Sequence, residues 1–327
     1  MTRGDLSDGE WELVEPHLPL GVSGPIPDLR SYFNAVMWRF RTSSPWRDVP
    51  DRYGSWSTVY DRFRMWARAG IFQSVMDAMI AEAAARGDVD LGLVGVDSTT
   101  ARAHQHAAGM AVDPALLDDL TKAVTEEKGL RERDETTAPE PADPERERRR
   151  AERRRRKARL KAAGLGRSRG GLTSKVHLAA DRRCRPLSIV LTPGQAADSP
   201  QFVPVMDKIR VRGPVGRPRT RPDAAAGDKA YSSRANRAYL RRRGIKAVIP
   251  EKADQAANRK RKGRHGGRPV SHDPELYKQR NTAERCINRM KDWRGIAFRT
   301  DKTPDSYLAG LHLRGAILWL RSLPTQP

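Results

Sequence analysis

Three carboxylates sit where a hard cation could gather them. Asp97 closes the short apolar, β-branched run LGLVGVDSTT (91–100), and Asp228 ends the weaker strand pattern DAAAGDKAY. Glu284 lies on a helix that opens near Tyr277, so the three are separated by 131 and 56 residues. In a mixed sheet the first and fourth strands can be neighbours, which would let these side chains converge. Clustered carboxylates repel one another unless cations hold them, and Mg²⁺, with octahedral oxygen coordination and retained waters, meets that need. Two such ions about 4 Å apart can activate a water or 3′-hydroxyl and stabilise the leaving oxygen of a phosphodiester. Either Asp alone reads more simply as a strand-end cap or turn residue. Only the set of three favours catalysis.

The stretch YKQRNTAERCINRMKDWRG (277–295) adds a second pattern. At 100° per residue, Tyr277, Arg280, Glu284 and Lys291 share an arc of about 60° over four turns. Leu276, Ala283, Ile287 and Met290 occupy the adjoining arc and suit a core. A solvated helix with an Arg280–Glu284 ion pair at i, i+4 explains the charges. It does not explain why the stripe borders the apolar face, and both readings stay open at this point.

Weaker candidates surround these. His104 and His106 alternate in ARAHQH and would point the same way on a strand, but no third ligand matches them, so DNA or structural contacts suit them better. Asp198, after LTPGQ, is a candidate support for the carboxylates or a helix-start residue. Ser98 and Thr99 have no neighbouring base or oxyanion loop and are not nucleophiles. GRSRGG lacks the Gly-Lys-Ser/Thr ending of a P-loop, so ATP is not implied.

Charge narrows the partner. Lys and Arg number 62 against 40 Asp and Glu, a formal +22 with pI near 10.6. Such an excess calls for a polyanion, and nucleic acid answers through phosphate contacts and counterion release. No apolar run approaches the roughly 20 residues of a spanning helix, and the N-terminus lacks a signal-peptide core, so a membrane is not expected. Cys184 and Cys286 cannot make a disulfide framework or a Cys-based zinc site. A cytoplasmic, nucleoid-associated protein is expected.

Helices come first. Ser7 and Glu10 form a candidate capping box. RSYFNAVMWRFRT carries Tyr32, Phe33, Val36, Met37 and Phe40 at helical spacing. SWSTVYDRFRMWARAGIF follows, with Ser55 or Ser57 as cap, Gly70 as stop, Val59, Phe63 and Trp66 inward, and Arg62, Arg64 and Arg68 outward. This predicts a helical, helix-turn-helix-like DNA-binding domain over 1–88. From 89 to 327 the pattern is strand, hairpin, helix, strand, helix, strand, helix, an α/β domain with a mixed sheet. Its hairpin spans about 174–180 and 186–192, Ser199-Pro200 reads as a helix start, and Gly244 as a helix end. A charged insertion at about 107–165 is acidic, then basic, and predicts a partly helical or disordered excursion that could fold on DNA or simply be solvated. NRKRKGRHGGRP (258–269) predicts a basic loop on phosphates. The last helix, DSYLAGLHLRGAILWLRSL, predicts core packing.

The chain resembles the DDE transposases of bacterial insertion sequences, in the insertion-sequence-5 family. The likeness runs from LSDGEWELVEPHLP through GVDSTTARAHQH, GRSRGGLTSKVHLAAD, LTPGQAADS and GDKAYSS to DKTPDSYLAGLHLRGAILWL. Tyr277-x2-Arg280-x3-Glu284-x6-Lys291 matches that family's Tyr-Arg-Glu-Lys signature without a gap. The resemblance implies an RNase H-like catalytic domain with Asp97, Asp228 and Glu284 as the catalytic and metal-binding triad. It implies Mg²⁺, with Mn²⁺ as substitute. Tyr277, Arg280 and Lys291 then handle transposon-end DNA. Arg167, Arg169, Lys175, Lys229, Arg62 and Arg64 are further candidate DNA contacts. The expected partners are double-stranded terminal repeats and target DNA, with a homodimer pairing the ends. The rivals are an RNase H-like nuclease without strand transfer and a non-catalytic DNA-binding regulator. The 107–165 insertion is longer than is typical of the family.

Overall fold

The computed structural model describes residues 4–19, 26–104, 144–168, 171–270 and 273–323, with the isolated positions 107, 115, 118 and 122. His106, Arg169 and the acidic half of the insertion lie outside these described residues.

Helix α1 (Asp8–Val14) opens on the predicted capping box, with Ser7 and Glu10 each accepting from the other's backbone amide. Helices α2 (Leu29–Thr42), α3 (Trp56–Arg68) and α4 (Ile71–Ala85) follow. Phe33, Val36, Met37 and Phe40 of α2 and Val59, Phe63 and Trp66 of α3 are buried as their spacing requires. Ser55 precedes α3 but does not cap it through its side chain, because its hydroxyl bonds Ser57 instead (2.9 Å). Gly70, at φ +71°, separates α3 from α4 as predicted.

Strand β1 (Val94–Ala103) leads into the insertion, whose described helix α5 (Pro144–Ala162) is followed by β2 (Gly166–Ser168), β3 (Gly171–Ala180) and β4 (Pro186–Pro193). The sheet order is β4-β3-β1-β5-β6, with β5 (Ala224–Ala226) and β6 (Lys246–Val248). β3 and β4 run antiparallel to their neighbours, while β5 and β6 run parallel to β1. Helices α6 (Phe202–Asp207) and α7 (Arg234–Arg242) connect the strands. Then come α8 (Ala253–Arg261), α9 (Pro274–Lys278), α10 (Asn281–Lys291), α11 (Arg294–Ala297), β7 (Phe298–Arg299) and α12 (Pro304–Leu320).

Alternation of side chains across β1 divides the sheet. Thr99, Val176 and Leu178 meet Ile287 and Met290 of α10 and Tyr307 and Leu311 of α12 on one face. On the other, Ser188 of β4 donates to Val205 O of α6 (2.8 Å). Helix α12 is buried almost throughout and packs against α4, so the N-terminal helices and the sheet share one apolar core. Arg39 of α2 reinforces that junction with both guanidinium nitrogens on the buried Asp301 carboxylate (3.1 and 3.0 Å).

Four expectations are corrected. The stretch from Tyr277 is two helices, because i→i+3 bonds such as Arg280 N to Tyr277 O (3.0 Å) and Ala283 N to Arg280 O (3.3 Å) tighten the chain at Gln279 and Arg280. Ser199 is not a helix cap. It lies inside a 3₁₀ turn, Ser199–Gln201, and its hydroxyl accepts from Asn236 (3.2 Å). Residues 258–261 belong to α8 rather than a loop. Arg62 is half-buried with its guanidinium over the Tyr32 ring (4.6 Å), while Arg64 and Arg68 are exposed as expected.

Candidate active site

Parallel pairing of β1 with β5 brings two of the carboxylates into register. Val94 pairs with Ala225 and Gly95 with Ala226. Two residues further along come Asp97, inside β1, and Asp228, just past the end of β5. Their chain paths are about 4.8 Å apart where they pair. Each uses one oxygen locally. Asp97 Oδ1 accepts from Ser98 N (2.7 Å), and Asp228 Oδ1 accepts from Ala230 N (2.8 Å), capping the 3₁₀ turn Lys229–Tyr231. Asp228 caps a turn, as expected of a lone Asp. Asp97 does not end its strand: β1 runs on to Ala103 because Thr99 to Ala103 continue the pairing with β3 and β7.

Glu284 arrives from α10, whose first turn lies on Gly95. A Cβ at Gly95 would stand 2.9 Å from Thr282 Oγ1 and 3.1 Å from Ala283 Cβ, so only glycine lets the helix approach this closely. Gly95 and Asp97 point to the same face of β1, which puts the first turn of α10 over the strand at the carboxylate. Burial raises the Asp97 pKa, and the negative charges of Asp228 and Glu284 push it further. The Ser98 amide and the Arg280 guanidinium oppose them. Asp228 and Glu284 thus both bear electrostatically on Asp97.

The rest of the stripe is distributed around this point. Arg280, half-buried, stacks over the Tyr277 ring (5.2 Å). Lys291 donates to Thr100 O of β1 (3.3 Å), and burial lowers its pKa. No ion pair joins Arg280 to Glu284 among the described residues, so the solvated-pair account of the stripe loses its main contact. Glu284 itself is exposed.

Behind Asp97, on the opposite face of β1, lies a polar cluster whose membership the sequence did not reveal. Asp198 Oδ1 accepts from Ser98 Oγ (2.7 Å) and Lys175 Nζ (3.1 Å), and His177 Nδ1 is 3.7 Å away. Burial raises the Asp198 pKa, but the Ser98 and Lys175 bonds outweigh it and the net shift is downward. His177 is fully buried with its pKa lowered to about 4 by burial, and its Nε2 meets Thr192 Oγ1 (2.8 Å). Tyr231 is buried beside them, and its Oη has no hydrogen-bond partner among the described residues. Burial raises the Tyr231 pKa, as do the charges of Asp97, Asp198 and Asp228. Asp198 also stands at the N-cap position of the 3₁₀ turn Ser199–Gln201, where its carbonyl, not its side chain, accepts from Gln201 N (2.9 Å). One signal was available: Lys175 and His177 alternate on a strand opposite Thr100 and Ser98.

The remaining candidates scatter. Lys229 is exposed next to Asp228, and Lys175 is engaged with Asp198. Arg167 sits on β2, and Arg62 and Arg64 are on α3. His104 follows β1, where its amide bonds Arg299 O (2.8 Å). Among the described residues, no group of three or more His, Cys, Asp or Glu is drawn together closely enough to hold a metal ion. Cys184 and Cys286 are buried and free.

With Asp97 on β1, Asp228 just after β5 and Glu284 on α10, comparison with known families is decisive. Residues 91–319 match the family described as a transposase DDE domain, and residues 6–76 one described as a putative transposase of the IS4/5 family. The chain belongs to the DDE transposases. A putative transposase for insertion sequence element IS6501 of Brucella ovis is 29% identical over 150 residues, 46% of this transposase and 100% of the relative. A putative transposase for insertion sequence element IS402 of Burkholderia cepacia is 30% identical over 141 residues, 43% of this transposase and 59% of the relative. An uncharacterized protein of Sinorhizobium fredii is 35% identical over 107 residues, 32% of this transposase and 81% of the relative. No solved structure matches the transposase. No helix among its described residues is long and apolar enough to cross a membrane.

Proposed function

We propose that this DDE transposase binds the terminal inverted repeats of an insertion sequence, hydrolyses phosphodiesters to free 3′-hydroxyls, and joins these to target DNA. The observation that carries the reading is that Asp97 and Asp228 each follow the Gly95–Ala226 pair by two residues, with Asp228 and Glu284 both acting on Asp97. The strand order β4-β3-β1-β5-β6, antiparallel then parallel, supports the RNase H-like domain that the family resemblance implies. Residues 1–88 serve as the DNA-binding domain and 89–327 as the catalytic one.

Asp97, Asp228 and Glu284 are the residues that would hold Mg²⁺, or Mn²⁺ in its place. Their donor chemistry fits, since three hard carboxylates whose charges raise one pKa form a set that a divalent cation would balance. Their spacing is wider than a closed ligand set. Bound ions in such a site would activate a water or 3′-hydroxyl and stabilise the leaving oxygen. Arg280, held on Tyr277, and Lys291, held at Thr100, supply cations for the phosphates flanking the cut. Asp198 fixes Ser98 and so braces the strand that carries Asp97. Cleaving two ends requires pairing them, which a homodimer on nucleoid DNA accomplishes.

The test is Mg²⁺-dependent cleavage and strand transfer on a terminal-repeat duplex, wild type beside Glu284→Gln. Cleavage and joining by wild type, with neither by the variant, is expected. Cleavage without joining would establish a nuclease instead, and activity retained by the variant would remove Glu284 from the triad.

A further inference from the structure

We propose that α5 is an anchored arm that grips the phosphate backbone of duplex DNA outside the catalytic site. The sequence of α5 holds eleven Arg and Lys against three Glu and no aromatic residue. Arg148, Arg149, Arg150, Arg153, Arg155 and Arg156 are all exposed. Like charges recur at i, i+4, as in Arg149 with Arg153, and destabilise an isolated helix. A polyanion would relieve that repulsion.

The arm is not free to wander. Ala158 is buried where α5 packs on β4. At its end Gly164 adopts φ +60°, and Leu165 N reaches back to Leu160 O (2.8 Å) in the manner of a Schellman stop. The Gly164 carbonyl accepts from Ser174 Oγ (2.7 Å) and from the fully buried Arg299 (3.2 Å). Ser174 opposes Ala101, four residues along β1 from Asp97, or about 13 Å of strand. The helix itself is about 28 Å long, comparable to about eight base pairs of duplex.

The chemistry selects the partner. Without aromatic side chains α5 offers no stacking platform for single strands. Its few apolar residues are small or turned to the protein, so it has no face to insert into a bilayer. A row of guanidiniums suits a double-stranded phosphate backbone, read without regard to sequence. The position of the arm relative to the cut rests on the transposase reading above, but its affinity for duplex does not.

The experiment measures the affinity of the full chain for a 30-base-pair duplex of arbitrary sequence across a salt series. Three forms are compared: wild type, the six arginines above changed to Gln, and the same six changed to Lys. Each phosphate contact contributes about 0.9 to the slope of log affinity on log salt. The Gln form is expected to lose about three or more from that slope, and the Lys form to keep it. A smaller variant, Arg148→Gln/Arg149→Gln/Arg150→Gln, should show a proportionate loss. An unchanged slope in both Gln forms overturns the proposal, as does an equal loss in the Lys form. A Gln effect confined to duplex RNA, with DNA binding intact, also overturns it. Because binding alone is read, a chain that never cleaves yet shows the slope loss sinks the transposition reading and leaves the arm standing.

Discussion

Two residues beyond the Gly95–Ala226 pair of adjacent parallel strands lie Asp97, still inside β1, and Asp228, just past the end of β5. Strand pairing brings the two chain paths side by side, and the 3₁₀ turn that Asp228 caps fixes where its carboxylate sits. Two carboxylates placed in this way should act as a unit. Asp97→Asn and Asp228→Asn are each expected to lower cleavage by about a hundredfold to a thousandfold or more, the scale for losing one group that stabilises transition-state charge. The double variant should cost little beyond either single change, because groups that act together are non-additive. End-binding should persist in all three. Additive losses in single-turnover cleavage would show that the two acids work separately.

Gly95 controls the approach of α10. Gly95→Ala would press a methyl group against Thr282 Oγ1 and Ala283, and overpacking of this kind costs about 1–3 kcal/mol. Cleavage should fall more than stability does, because Glu284 moves with the helix. Adding Thr282→Ala removes the nearest clashing atom and should restore part of the activity. Urea denaturation and cleavage, measured on the single and double variants, check the point. No rescue by the second change would mean that the helix is not seated through Gly95.

Arg39 and Asp301 join the N-terminal helices to the segment after β7 inside the core, with 5% and 2% of their side chains exposed. Removing one partner strands a buried charge, so Arg39→Ala should destabilise the chain by about 3–5 kcal/mol. Arg39→Met with Asp301→Leu should cost much less, since no orphaned charge remains. Chemical denaturation of the three proteins separates these outcomes.

Burial holds two histidines neutral, His177 near pKa 4 and His312 near 3, whereas an unfolded chain protonates them near 6.5. Below pH 6.5 the unfolded state therefore binds more protons than the folded one. Their contribution to stability is complete above that pH and declines as pH falls toward 4, by up to about 1.4 kcal/mol per pH unit for each histidine. Urea midpoints taken from pH 7 to 4.5 should fall along this course. His177→Gln and His312→Gln should each flatten the curve, and a wild-type midpoint level down to pH 4.5 would contradict the assignment.

Local signals served the elements well. The β-branched apolar run of β1, the β3–β4 hairpin, the capping box at Ser7, and the inward faces of α2 and α3 could all be read locally, because each depends on residues close in sequence. The triad candidates came from expected strand ends and the family resemblance, although Asp97 lies inside β1, whose polar second half gave no apolar run to extend it. Long-range polar pairing carried no such mark. Nothing near Arg39 in sequence marks it as buried, since its partner Asp301 lies 262 positions away. The buried Asp181–Arg185 pair (2.6 Å) at the hairpin turn is likewise unmarked by any local pattern. The break at Arg280 also escaped, since it contains neither Gly nor Pro and follows from tightened backbone bonding alone. β7, only two residues long, is defined by its partner β1 and not by its own sequence.

Strand β1 carries Asp97 on one face and Ser98 on the other, receives Lys291 at Thr100, and meets the seat of α5 through the partner of Ala101. It behaves as a ruler. On the proposed reading, the interval between the cut and the outer phosphate contacts comes in fixed steps of strand rise. A DNA end whose length differs by one base pair would then have to change its own twist or bend, because the protein has no slack there to accommodate it.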